Sequence, residues 1–204
     1  MSADVRDSAE DDHLVETTLS VEQVFRGHFL DVRRAQIGLP GGGRATREYV
    51  VHPGAVMVVP LLDDGRLVME RQYRYPLQQV FLEFPAGKID PGEPTAACAM
   101  RELAEETGYR AAEWACAGRL HNAIAYSTEF IEIWFARSLT LGDRHLDQGE
   151  FLDVCIVDEA ALDAMAGRGE LTDAKTLIGL QWLQKWRSGA WTLEWRQAAE
   201  LAAA

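Results

Sequence analysis

The chain has 204 residues, 48% of them apolar, with 32 Asp and Glu against 20 Lys and Arg and a formal net charge of −12. That length holds one substantial domain with a smaller appendage, and the charge argues against nonspecific nucleic-acid binding, which needs a basic footprint. No apolar run approaches the roughly 18 to 20 residues that span a bilayer, and the acidic opening through Asp7 is unlike a signal peptide, so a cytoplasmic protein with no membrane partner is expected.

Residues 1–13 are polar and acidic and read as a disordered tail. Residues 14–52 carry three strand-like runs, at 15–25, 29–37 and 44–51, with Gly38-Leu39-Pro40-Gly41-Gly42-Gly43 as the turn before the last. This predicts a small antiparallel meander. Its few large apolar residues make a thin core, so the meander should dock onto its own domain or onto a partner subunit. The second region covers residues 53–204. Residues 55–62 and 66–71 around Asp63-Asp64-Gly65 read as a hairpin, and a further strand at 80–84 follows. Strands are expected again at 114–120, 130–136 and 152–157, with helices at 159–166 and 172–186. The last of these carries Leu177, Leu180, Leu183 and Trp186 on one side. Elements mixed in this order predict an α/β fold with helices on both faces of a sheet. Cys98, Cys116 and Cys155 are widely spaced in apolar or helical contexts and read as reduced packing residues.

The most informative stretch is Gly87-Lys88-Ile89-Asp90-Pro91-Gly92-Glu93, seven further residues, then Arg101-Glu102-Leu103-Ala104-Glu105-Glu106-Thr107-Gly108-Tyr109. If residues 94–107 are helical, Pro94 suits the first helical position and Gly108 the left-handed position past the end. At about 100° per residue, Glu102 and Glu106 lie roughly 40° apart with Glu105 beside them. The opposite stripe of Ala96, Ala97, Met100, Leu103 and Ala104 suits packing on a sheet, which turns the acids toward a cleft or water. On those letters alone a solvated helix end with an Arg101–Glu105 pair is an adequate explanation. The complete pattern is not explained that way. It resembles the Nudix box of the Nudix hydrolases, with every defined position filled.

That resemblance implies an α/β/α sandwich with a mixed sheet, preceded by the three-stranded N-terminal segment. It also implies a bound divalent cation, Mg2+ or Mn2+, which suits carboxylate oxygens. By position the metal ligands are Glu102, Glu105, Glu106 and the carbonyl of Ala86, while Arg101 orients the glutamates. Glu93 reads as a carboxylate favoured by the helix N-terminus. Arg71-Gln72-Tyr73-Arg74 and Glu83-Phe84-Pro85-Ala86-Gly87 resemble the ADP-ribose pyrophosphatase branch, as does Thr172-Asp173-Ala174-Lys175-Thr176. In that branch the N-terminal strands build a homodimer.

The resemblance assigns Arg74 to the substrate phosphates, with Arg71 as a second contact; the alternative is an arginine paired with a carboxylate on a neighbouring strand. Glu150, in the loop 146–154, matches the family's catalytic glutamate and would take the proton of the attacking water, with a box glutamate such as Glu105 as competitor. Ser127, with Tyr126 and Glu129, would line the pocket. The branch's downstream loop proline is missing, since no proline follows Pro94. His52 and His121 read as structural side chains; Tyr49 and Phe25 are candidate stacking surfaces for the base. The resulting expectation is metal-dependent hydrolysis of a nucleoside diphosphate sugar, first of all ADP-ribose to AMP and ribose 5-phosphate. GDP-mannose or another sugar nucleotide is the alternative substrate, and a non-catalytic ADP-ribose sensor the alternative function. A sensor would be expected to have lost box carboxylates, and none is lost here.

Overall fold

The computed structural model describes residues 11–146 and 148–202. The tail expected over residues 1–13 lies mostly outside them. The chain forms two compact units, one of Met1–His52 with Ala123–Glu129 and one of Pro53–Asn122 with Phe130–Ala204.

In the first unit, β1 (Thr17–Arg26), β2 (Asp31–Gly38) and β3 (Arg44–Val51) form the antiparallel meander in the order β1-β2-β3. Gly42 and Gly43 turn the chain at φ of 91° and 93°, where a side chain would be strained. Asp31 closes the other turn, accepting from Gln23 at 3.0 Å, Arg26 at 2.8 Å and Arg33 at 2.9 and 3.0 Å. Hydrogen bonds from Arg33 and then Gln23 hold its carboxyl far below the usual range. Ala35 and Ile37 are buried, whereas β1 is exposed along its whole length, Leu19, Val21 and Phe25 included. The segment 123–129 is tied to β3 by bonds from Val50 N to Tyr126 O at 2.8 Å and from Thr128 N to Val50 O at 3.0 Å.

The second unit begins with β4 (Ala55–Pro60), β5 (Leu67–Arg74), β6 (Gln79–Glu83) and β7 (Ala86–Lys88). There follow α1 (Thr95–Glu102), a π-helical turn at Leu103–Thr107, β8 (Tyr109–Leu120), β9 (Ile131–Leu141) and β10 (Leu152–Val157). The chain ends through α2 (Glu159–Gly167), α3 (Ala174–Arg187), β11 (Arg196–Gln197) and α4 (Ala198–Ala202). One sheet runs β11-β8-β9-β4-β7 and is mixed, because β4 and β9 are parallel; the other runs β10-β5-β6 and is antiparallel.

Strand alternation explains the layers. On β4, Val56 and Val58 face one cluster with Cys98, Ala99 and Leu103 of the box segment, while Met57 and Val59 face the other with Leu180 and Leu183 of α3. All four β4 residues are fully buried, each worth about 1.5–3 kcal/mol. Helical segments thus cover both faces, and the expected α/β/α sandwich with a mixed sheet is what the chain forms.

Three local readings are corrected. Residues 55–62 and 66–71 are not a hairpin: β4 and β5 enter different sheets, joined only by a bridge between Leu61 and Leu67 and the turn bond from Leu62 N to Arg66 O at 2.9 Å. Both strands are central, and a Pro60 lacking its N–H ends the first. The helix over 94–107 starts one residue later, with Pro94 as its cap, and widens into the π-helical turn after Glu102. A periodicity of 3.6 cannot foresee that widening. Cys116 is exposed, although Cys98 is buried as expected.

Candidate active site

Gly108 caps the box segment as predicted, with φ of 79° and its N–H donating to Ala104 O at 3.0 Å. Of the stripe expected to pack on the sheet, Ala96, Met100, Leu103 and Ala104 do so or are buried, while Ala97 is exposed and Glu102 and Glu106 are buried too. Cys98, Ala99 and Thr107 are also buried. Glu102 and Glu106 therefore point inward, 9% and 3% exposed, instead of outward to water. The cause is a glycine: a Cβ on Gly87 would fall inside the Glu102 carboxylate, so its absence opens the place that Glu102 fills. Glu106 reaches the same short strand, where its Oε2 accepts from Ala86 N at 3.0 Å.

Arg101 gathers the acids around it. It donates to both Glu93 oxygens at 2.9 and 2.8 Å, to Glu102 at 2.8 Å and to Glu105 at 3.0 Å, and its NH2 reaches Lys88 O at 3.3 Å. The Arg101 bonds hold the Glu93 carboxyl down at about 2, and Glu93 Oε2 also accepts from Asp90 N at 3.1 Å. Glu93 is thus a strut between loop and helix. The i,i+4 pair of Arg101 and Glu105 exists as well, inside this larger network.

Burial pushes the Glu102 carboxyl up to about 7 although Arg101 opposes it. Glu106 is displaced further upward, by burial first and then by the charges of Glu70, Glu102 and Glu150. Burial and then Glu83 raise Glu70 as well. These carboxylates are packed together with too little positive charge among them.

Beside them the β5–β6 hairpin carries a second network. Arg74 forms a two-bond pair with Glu83, both at 2.8 Å, across the strands. The buried Lys175 bonds the same Glu83 and also Asp173, the latter at 3.0 Å. Asp173 caps α3 by accepting from Thr176 N at 3.0 Å, and the Thr176 hydroxyl accepts from Phe84 N at 3.2 Å. The start of α3 is thereby clipped to the end of β6. Burial pulls the Glu83 carboxyl upward, but Arg74 and Lys175 together hold it below its ordinary value.

The charge of Glu150 adds a small upward push to both Glu102 and Glu106. Arg71 lies on the opposite face of β5 from Arg74's neighbours Glu70 and Gln72, 4.0 Å from Asp153. With Tyr73, Arg144 and Phe151 it lines an open pocket of about 330 Å³. Ser127 belongs to the first unit, where its hydroxyl accepts from Glu129 N at 3.1 Å. His52 stacks edge-on against Phe29 and lies 3.7 Å from Glu129; His121 is exposed.

Residue reasoning missed Glu70, Gln72, Glu83 and Lys175 as parts of this site. A glutamate ending the apolar run Leu67-Val68-Met69 was the available signal. Among the described residues no three His, Cys, Asp or Glu side chains are already closed around one ion position. The donor set nevertheless fits a hard divalent cation: no N–H or hydroxyl among the described residues donates to the buried oxygens of Glu70, Glu102 fills the Gly87 cradle, and Glu106 is buried against the N–H of Ala86, the residue before Gly87. Such an arrangement suits metal-assisted hydrolysis of a phosphate ester or anhydride.

The NUDIX domain family matches residues 51–177, and the nucleoside diphosphate sugar hydrolase N-terminal domain family matches residues 16–50. The chain belongs to the Nudix family of hydrolases, on the branch that its motifs resembled. It is 38% identical over 174 residues to an ADP-ribose pyrophosphatase of Bacillus subtilis, covering 84% of this chain and 94% of that protein. It is 35% identical over 173 residues to a methanol dehydrogenase activator of Bacillus methanolicus, covering 83% and 92%. Among solved structures, an ADP compounds hydrolase is similar with a TM-score of 0.77 at 29% identity, covering 86% of this chain and 95% of that one. Hydrolases of this family generally need a divalent metal, in keeping with the donor set.

Proposed function

We propose that this chain hydrolyses the pyrophosphate bond of ADP-ribose, releasing AMP and ribose 5-phosphate, with Mg2+ as the metal and Mn2+ as its substitute. The observation that carries the reading is the burial of Glu102 over Gly87 and of Glu106 against Ala86, carboxylates that lack sufficient counter-charge of their own. Glu102, Glu105, Glu106 and the Ala86 carbonyl would hold the metal. The bound ion supplies charge neutralisation on the pyrophosphate and a more acidic water. Arg101 fixes the glutamates. Glu150 takes the proton as the water oxygen bonds to phosphorus and the bridging P–O bond breaks; Glu105 is the competing base. Arg74, positioned by Glu83, contacts the phosphates through its outer N–H groups, with Arg71 and Ser127 as further substrate contacts. Residues 14–52 form a dimerisation segment and residues 53–204 the hydrolase domain, and two chains make the working unit.

Product analysis tests this. The purified chain is incubated with Mg2+ and, separately, ADP-ribose, GDP-mannose, NADH and diadenosine polyphosphate. AMP and ribose 5-phosphate as the fastest products support the proposal. Faster turnover of GDP-mannose would reassign the pocket, and binding of ADP-ribose without turnover would make the chain a sensor.

A further inference from the structure

The chemistry above leaves Glu70 without a task. It ends an apolar run on β5 and is fully buried, and among the described residues no N–H or hydroxyl donates to its carboxylate oxygens, which have only the Glu106 carboxyl within reach. Two residues on, and so on the same strand face, Gln72 leaves its Oε1 without a donor. Among the described residues four buried side-chain polar atoms lack a partner, and three of them are these oxygens; the fourth, the Trp134 indole nitrogen, belongs to the core cluster around α1. Ionised, such oxygens only accept, so without a cation Glu70 and Glu106 can satisfy each other only by sharing a proton.

The nearby cations do not resolve this. Arg74 and Lys175 both spend their hydrogen bonds on Glu83, and Lys175 also on Asp173. On its other side Glu70 meets Glu106, for which it is the strongest charged neighbour. A buried carboxylate whose neighbouring cations are hydrogen-bonded elsewhere is costly, and a cation bound by oxygen alone removes that cost.

We propose that Glu70, backed by the Gln72 amide oxygen, is a ligand for a divalent cation: it faces Glu106 from β5 and lets the site hold one more Mg2+ or Mn2+ than the box residues hold without it. This rests on the metal reading of the box and extends it to a strand outside the box. Charge favours a second cation, since one divalent ion leaves the carboxylates of Glu70, Glu102, Glu105, Glu106 and Glu150 largely uncompensated even with Arg101 beside two of them. Gln72 suits the task because an amide oxygen adds a ligand without adding charge.

Mn2+ titration of the metal-free full chain, read by the EPR signal of free Mn2+, compares the wild type with Glu70→Gln and Glu102→Gln. Glu70→Gln keeps the side chain's shape and should bind one Mn2+ fewer, or hold the last ion about tenfold or more weakly. Glu70→Asp, which keeps the charge on a shorter arm, should fall between. Wild-type crystals soaked in Mn2+ should show an anomalous peak within ligating distance of a Glu70 oxygen, which decides the matter even if the variants misfold. A Glu70→Gln titration superimposable on the wild type, with Glu102→Gln impaired, overturns the proposal and leaves the box reading intact. Wild-type protein that binds no Mn2+ overturns both.

Discussion

Glu102 and Gly87 depend on each other: the carboxylate occupies the volume where any other residue would carry its Cβ. Gly87→Ala should therefore displace Glu102, costing about 1–3 kcal/mol of stability by overpacking and abolishing turnover, measured by thermal unfolding beside product assay. A variant with full activity would show that Glu102 need not sit there. Glu106→Gln should lose about 100-fold or more of its metal affinity and turnover, since even residues behind metal ligands cost 10–100-fold. The pH dependence has a definite sign. The Glu102 carboxyl rises from an ordinary 4.5 to about 7, and Glu70 and Glu106 move in the same direction. The folded form then holds these protons more tightly than the unfolded form, so their contribution favours folding below about 4.5 and is lost as pH climbs through about 7. Metal-free protein should melt at a lower temperature at pH of about 8 than at about 5.5, and Mg2+ should restore more at the higher pH. Equal melting temperatures with and without Mg2+ at both values would contradict this account. The motif singled out Glu102, Glu105, Glu106 and Arg101, and the structure bonds Arg101 to the first two of these glutamates. Glu70 was not legible, because its meaning depends on lacking a donor, and donors are set by packing.

At the scale of elements, the clip between α3 and β6 carries the positioning of Arg74. Lys175 is buried between Glu83 and Asp173, so Lys175→Met should cost about 3 kcal/mol by leaving Glu83 undercompensated. Adding Glu83→Gln should recover part of that loss in a double-mutant cycle of unfolding free energies. Additive single effects would mean that the two side chains are not coupled. The strands of β1 to β3 and the helices α2 and α3 were readable from alternation and periodicity. The separation of β4 and β5 into different sheets was not, because a turn signal between two apolar strands looks the same whether they pair or part. The π-helical turn was hidden for a related reason: the backbone widens to suit its surroundings, and the sequence there remains that of a helix.

On the scale of the molecule, β1 exposes Leu19, Val21, Val24 and Phe25 along one strand. An exposed apolar edge strand is a pairing surface, and we expect the working protein to have the mass of two chains by light scattering. Val21→Asp should lower that mass toward one chain and weaken ADP-ribose binding. Full activity in a monomer would remove the dimer from the mechanism.

By itself the sequence determined the family, the acidic motif and the α/β class, because these depend on residue types at fixed spacings along one segment. It also determined the meander, through strand alternation and the glycine turn. Only the tertiary structure decided that the acids point inward, that Arg74 is held by Glu83, which Lys175 also binds, and that Glu70 is left facing Glu106. Those facts join residues from strands and helices far apart in the chain, and they follow from which faces the core buries together.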